Sequence, residues 1–193
     1  MWLVVGLGNP GSQYARNRHN VGFRVLELCA SRWGAGPMKE KFSGLWTKAS
    51  FASEDVVLLE PQTYMNLSGE SVQKAMAFFK VPLRNLLVMH DELDLPWKDV
   101  RIKVGGGHAG HNGIRSIMQH CGADFVRLRI GIGKPPRGTT ESWVLGDFDA
   151  MESAELPDVL SAAALAAEAV LQVGVAAAMN KVHGKEKPPR EKR

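Results

Sequence analysis

The chain has 193 residues, 45% of them hydrophobic, and carries 24 Lys+Arg against 20 Asp+Glu. That is enough for one sizeable core and too short for two comfortable domains. No run of about 18 apolar residues occurs, so no transmembrane helix is expected, and the first residues lack the basic start of a signal peptide.

Trp2-Leu-Val-Val5 reads as a short buried strand. It runs into a polar, glycine-rich segment, residues 6–23, and helical periodicity begins at about Val21 and stops at Gly34. Gly6, Gly8 and Gly11 spell G-x-G-x-x-G, but Pro10 interrupts the motif and the polar loop continues through Asn17. No strand about twenty residues on ends in an acidic residue for a ribose, so a nucleotide-binding oxidoreductase is disfavoured. Residues 35–55 read as irregular or weakly stranded. Val56-Val-Leu-Leu59 reads as a buried strand, and Ser68 as the N-cap of a helix running to Lys80. Leu86-Leu-Val-Met89 is a further buried strand, followed by His90-Asp-Glu-Leu-Asp94. Residues 101–104 alternate as a strand and lead into Gly105-Gly-Gly-His-Ala-Gly-His-Asn112 and a helix to about His120. Residues 125–132 alternate with Arg127 and Arg129 on one face. Trp143-Val-Leu145 reads as a last short strand, and Pro157 as the opening of an Ala-rich helix to about Asn180. Residues 185–193 contain no apolar side chain and read as a disordered basic tail. Strands interleaved with helices imply one α/β domain over residues 1–184.

Charge is unevenly spread. Residues 1–134 hold 17 Lys+Arg against 11 Asp+Glu, whereas residues 135–181 hold 2 against 7. A basic body suits a polyanionic partner. Cys29 and Cys121 fall in apolar helical patterns and read as free thiols of a reducing cytosol. No Cys/His spacing resembles a zinc site, and neither a metal nor another cofactor is expected.

Four strand ends each run into a loop rich in chemistry: Asn9/Tyr14/His19, Tyr64/Asn66, Asp91, and His108/His111/Asn112. At one sheet edge these groups converge. His19 titrates near neutrality and is the first candidate for a general base, with Asp91 to orient it. Asparagine amides hold a carbonyl, a hydroxyl or a water without adding charge. No serine or cysteine sits in a nucleophile pattern, which favours water as nucleophile. Each residue also has a structural alternative: Asp91 as a turn residue, Asn66 and Asn112 as helix caps, the histidines as satisfied loop residues.

The chain resembles the bacterial peptidyl-tRNA hydrolase family in five stretches, in family order. These are Gly6-Leu-Gly-Asn-Pro-Gly11 with Tyr14 and Arg18-His-Asn20; Pro61-Gln-Thr-Tyr-Met-Asn-Leu-Ser-Gly69; His90-Asp-Glu-Leu-Asp-Leu-Pro96; Gly105-Gly-Gly-His-Ala-Gly-His-Asn-Gly113; and Arg127-Leu-Arg-Ile-Gly-Ile-Gly133. The resemblance implies a monomeric, cytoplasmic α/β enzyme with a mixed twisted sheet and a long C-terminal helix. Its implied activity is hydrolysis of the ester between a peptide and the tRNA 3′-terminal ribose. His19 matches the catalytic base, Asp91 its supporting carboxylate, and Asn9 the asparagine that tells a blocked amino group from a free one. Tyr14, Tyr64, Met65, Asn66, His111 and Asn112 match positions of the substrate cleft. Lys103 and Arg129 match a basic pair for the tRNA 5′-phosphate. A non-catalytic RNA-binding relative of the same fold is the alternative.

Overall fold

In the computed structural model, which describes residues 1–184, the opening apolar run is strand β1 (Trp2–Gly6), and all five of its residues are buried. A strand apolar at every position needs cover on both faces. The rest of the sheet is β2 (Lys39–Lys41), β3 (Gly44–Phe51), β4 (Glu54–Pro61), β5 (Leu86–Glu92), β6 (Val100–Val104) and β7 (Val126–Gly131). The strand order is β2-β3-β4-β1-β5-β7-β6, so β1 lies at its centre. The four inner strands β4, β1, β5 and β7 are parallel, and β2, β3 and β6 add antiparallel pairs at the two sides.

The helices are α1 (Val21–Arg32), α2 (Ser68–Phe79), α3 (Asn112–Cys121), α4 (Thr140–Val144), α5 (Ala150–Val173) and α6 (Val175–His183). Alternation along the strands divides the core in two. Val4, Leu58, Leu87 and Leu128 pack with Val25 of α1 and Leu156, Val159 and Ala163 of α5. Leu3, Val5, Leu59 and Val88 pack with Val72 of α2 and Ile114 and Ile117 of α3.

The glycines of the opening loop serve this packing. A Cβ on Gly6 would lie 2.3 Å from the Gly22 carbonyl oxygen, and one on Gly22 would lie 2.4 Å from that of Met89. They let α1 close onto β1 and β5. No helix starts at Gly11; the next helical turn is a short 3₁₀ turn, Arg18–Asn20. The G-x-G-x-x-G spelling is thus not a dinucleotide cradle.

Several elements differ from the sequence reading. Residues 35–55 contain the β2–β3 hairpin, whose strands pair from Lys39↔Trp46 to Lys41↔Gly44. Trp143 lies in α4 rather than in a strand, because the Thr139 hydroxyl caps that turn by accepting from the Ser142 N–H at 3.1 Å. Ser68 does not cap α2: it is the first helical residue, and its Oγ donates to the Met65 carbonyl at 2.8 Å. The expected helix from Pro157 starts earlier and ends earlier. A capping box of Asp149 and Glu152 opens α5 at Ala150, and Pro157 lies inside it. Gly174, at φ +80°, ends α5 and separates it from α6. By length and composition α5 could cross a membrane, with a window of mean hydropathy 1.4, but 56% of that window is buried inside the protein. The tail at residues 185–193 lies outside the described residues.

Only three of the four strand ends share an edge. β1, β4 and β5 are parallel and end together. Val104, the last residue of β6, pairs with Val126, the first of β7, and so lies at the opposite edge. The chain from Gly105 has to run back to bring His111 to the others.

Candidate active site

The site starts from the 3₁₀ turn that follows the glycine loop. There His19 is buried, and its Nδ1 donates to Asp91 Oδ2 at 2.8 Å. Asp91 is held by the end of β5, in register with Ile130 of β7. Its other oxygen, Oδ1, is 2.8 Å from His111 Nε2. His111 is the N-cap of α3: its Nδ1 accepts from the N–H groups of Gly113 at 3.1 Å and Ile114 at 3.3 Å. Nδ1 therefore carries no hydrogen, and Nε2 is the donor to Asp91. The expected cap, Asn112, instead accepts from Arg115 Nη2 at 2.6 Å.

One carboxylate thus accepts from two imidazoles. Burial works against its charge, but the His19 and His111 rings outweigh that and hold the Asp91 carboxyl well below the usual range. Burial also works against a charged His19, and there the charge and hydrogen bond of Asp91 win and raise its pKa above the ordinary value. With Nδ1 committed, His19 offers Nε2 to the cleft. A third ring, His90, packs on His111 at 4.9 Å and donates from Nδ1 to the Asp91 carbonyl at 2.8 Å. Burial, aided by His111, pushes its pKa down to about 3, so it is a neutral support. His19, Asp91 and His111 present ligand-type atoms within 4.8 Å of one another. In this arrangement both nitrogens facing Asp91 donate to its carboxylate.

Asn9 is fixed on three sides. Its N–H donates to Asn20 Oδ1 at 2.9 Å, and Asn20 Nδ2 donates back to its carbonyl at 3.0 Å. Its side-chain Oδ1 accepts from the Met65 N–H at 2.8 Å. The side-chain NH₂ is left as a donor on a residue that lines the cleft.

The cleft has a volume of about 570 Å³. Asn9, His19, Tyr64, Met65, Asn66, Asp91, His111 and Asn112 all line it, so eight predicted residues come together. Tyr64 stands 58% exposed at the rim, where a ring is free to stack. Tyr14, Lys103 and Arg129 do not line the cleft. Lys103 pairs in register with Arg127, and Arg129 with Arg101, on adjacent strands β6 and β7. Arg129 Nε donates to Glu92 Oε1 at 3.0 Å, and Glu92 does line the cleft. Arg127 is buried and donates to the carbonyls of Gly106 and Gly107, pinning the loop that leads to His111. His108 is satisfied locally, its Nδ1 accepting from the Gly110 N–H at 3.0 Å. Cys29 and Cys121 lie outside the cleft, and burial pushes their thiols up to about 12 and about 11.

Sequence reading missed Asn20, Glu92 and the wall formed by Thr140, Glu141, Val144 and Leu145. Asn20 and Glu92 each adjoin a predicted residue, His19 and Asp91, and that adjacency was the available signal. The wall was hidden by the misread strand at Trp143.

No serine or cysteine lines the cleft among the described residues, and Thr140 is not hydrogen-bonded to His19. A histidine–carboxylate pair in a cleft without serine or cysteine is a donor set that hydrolases use. Residues 3–190 match the family model described as "Peptidyl-tRNA hydrolase". A peptidyl-tRNA hydrolase of Sorangium cellulosum is 54% identical over 192 residues, covering 97% of this chain and 86% of its relative. One of Geobacter sulfurreducens is 45% identical over 185 residues, covering 95% and 96%. The crystal structure of peptidyl-tRNA hydrolase from Acinetobacter baumannii superposes with a TM-score of 0.87 at 41% identity, covering 94% of each chain. The chain belongs to the peptidyl-tRNA hydrolase family.

Proposed function

We propose that His19 is the general base in the hydrolysis of peptidyl-tRNA, the reaction that family membership assigns to this chain. The observation that carries this is the Asp91–His19 contact at 2.8 Å, which commits Nδ1 and leaves the Nε2 lone pair of a cleft-lining imidazole free to act as base. His19 Nε2 takes a proton from water as the water oxygen attacks the ester carbonyl. The resulting imidazolium is stabilised by Asp91 and returns the proton to the departing ribose oxygen. The Asn9 NH₂ is suited to hold a peptide carbonyl, a contact that a free aminoacyl group lacks. Asn66, Asn112, Met65 and Tyr64 receive the 3′ end and the peptide, and His111 keeps Asp91 in place. Lys103 and Arg129, outside the cleft on neighbouring strands, suit the 5′-phosphate of the acceptor stem. Tyr14, which the structure keeps out of the lining, acts at most at the rim. We read the chain as a monomer, as the family resemblance suggests, and a substrate made by ribosomes puts the reaction in the cytoplasm.

The test is release of an N-blocked aminoacyl group from tRNA, with free aminoacyl-tRNA as control and EDTA in both. Wild type should cleave only the blocked substrate, and His19→Ala should lose nearly all turnover while still binding tRNA. Removing the 5′-phosphate should raise KM for wild type and leave Lys103→Ala unaffected. A His19→Ala protein within a few-fold of wild type would sink the base assignment.

A further inference from the structure

Arg18, the residue before His19, is 5% exposed. An arginine buried this deeply needs partners for its donors. Nη2 donates to Glu152 Oε2 at 2.8 Å, Nη1 donates to the Trp143 carbonyl at 3.2 Å, and the guanidinium lies 3.6 Å over the Trp143 ring. The backbone repeats the tie: the Arg18 N–H donates to the Gly146 carbonyl at 3.0 Å, and Asn17 Nδ2 donates to Asp147 Oδ1 at 2.9 Å. Glu152 is itself fixed, because the same Oε2 accepts the Asp149 N–H at 2.9 Å and closes the capping box of α5. All of these partners fall in residues 143–152. That segment continues directly from α4 and the cleft wall of Thr140, Glu141, Val144 and Leu145. One buried side chain therefore joins the turn that carries His19 to the wall of the cleft in which His19 works.

We propose that Arg18 is a positioning residue for the reaction: by clasping Trp143 and Glu152 it sets the separation between His19 and the 140–145 wall. The proposal rests on the reading of His19 as base. Arg18 does not line the cleft. Its effect passes through the two walls between which the ester is held. Letting one wall drift weakens substrate binding and misaligns water against Nε2. Misplacement of about 1 Å is enough to cost about 100-fold in rate.

The experiment compares Arg18→Met and Arg18→Lys in the full chain, assayed on an N-blocked aminoacyl-tRNA and normalised to the folded fraction. Arg18→Met should lower kcat/KM by about 10- to 100-fold, with KM raised and kcat reduced. Arg18→Lys keeps the charge opposite Glu152 but loses the fork to Trp143, so it should recover part of kcat. If Arg18→Met does not fold, Trp143→Leu removes the ring under the guanidinium, leaves the ion pair, and should show the same split at smaller size. A variant with a lowered Tm but wild-type kcat and KM per folded molecule would overturn the proposal and leave Arg18 as a stabilising residue only. His19→Ala run alongside separates the two readings. An active His19→Ala sinks the base assignment, whereas an inactive one beside full-speed Arg18 variants sinks only this proposal.

Discussion

At the scale of the residue, the pH dependence of the site has a definite sign. His19 works as a base only when neutral, and the charge and hydrogen bond of Asp91 outweigh its burial to raise its pKa above 6.5. The acid limb of the kcat/KM profile should therefore lie above pH 6.5, at the pKa of the free enzyme. Asp91→Asn keeps the size and removes the charge that holds the proton on Nδ1. The limb should then move to lower pH, and kcat should fall by about two to four orders of magnitude. A profile measured from pH 5 to 9 on both proteins checks this. An unmoved limb would mean that Asp91 does not set the basicity of His19. His90 takes no part in that window, because burial keeps it neutral down to about pH 3.

Among the elements, the junction of α1 with β1 and β5 bears most directly on the site, since the turn that carries His19 feeds straight into α1. A Cβ on Gly22 would meet the Met89 carbonyl oxygen at 2.4 Å and the Leu7 nitrogen at 2.6 Å, all backbone and unable to swing aside. Gly22→Ala should lift α1 from the sheet and lower the stability by about 3 kcal/mol, the upper range of overpacking costs, with activity falling as well. Urea unfolding reads the first effect, and an unchanged midpoint would show that α1 does not rest on this contact. The central strands were legible in the sequence because burial on both faces writes an unbroken apolar run, as in Trp2–Val5 of β1 and Leu86–Met89 of β5. The start of α5 was less so, because the Asp149–Glu152 capping box opens it at Ala150, seven residues before the proline that appeared to open it. His19, Asp91 and the asparagines were legible by type and place. The reciprocal cap by which His111 both starts α3 and holds Asp91 was not, because it depends on a loop returning from the far edge of the sheet.

Across the whole molecule, a further pH-dependent stability term is expected away from the site. Glu60 on β4 is 6% exposed, and its Oε1 has no hydrogen-bond partner. Burial, with a smaller push from Glu27 on α1, raises its pKa to about 8. In the unfolded chain its pKa is near 4.5. The folded state therefore holds a proton that the unfolded state has released, and the Glu60 contribution to stability falls as pH rises from about 4.5 to about 8, then levels off. His90, lowered to about 3 by burial, opposes this fall by adding stability as pH rises from about 3 to 6.5; His19, raised, adds a fall above 6.5, while Asp91, lowered, loses stability only in acid below its unfolded value of 3.8. Glu60→Gln copies the protonated carboxyl at every pH. Its Tm should be close to that of wild type at pH 5 and exceed it clearly at pH 8, so the gap between the two proteins isolates Glu60 from the histidines. The basic charge of the chain does not produce this pattern, because lysines and arginines stay charged throughout that range. Thermal melts of both proteins at pH 5, 6.5 and 8 decide it: a Tm difference that is the same at all three values would mean that Glu60 is ionised in the fold and that a partner or water meets its charge.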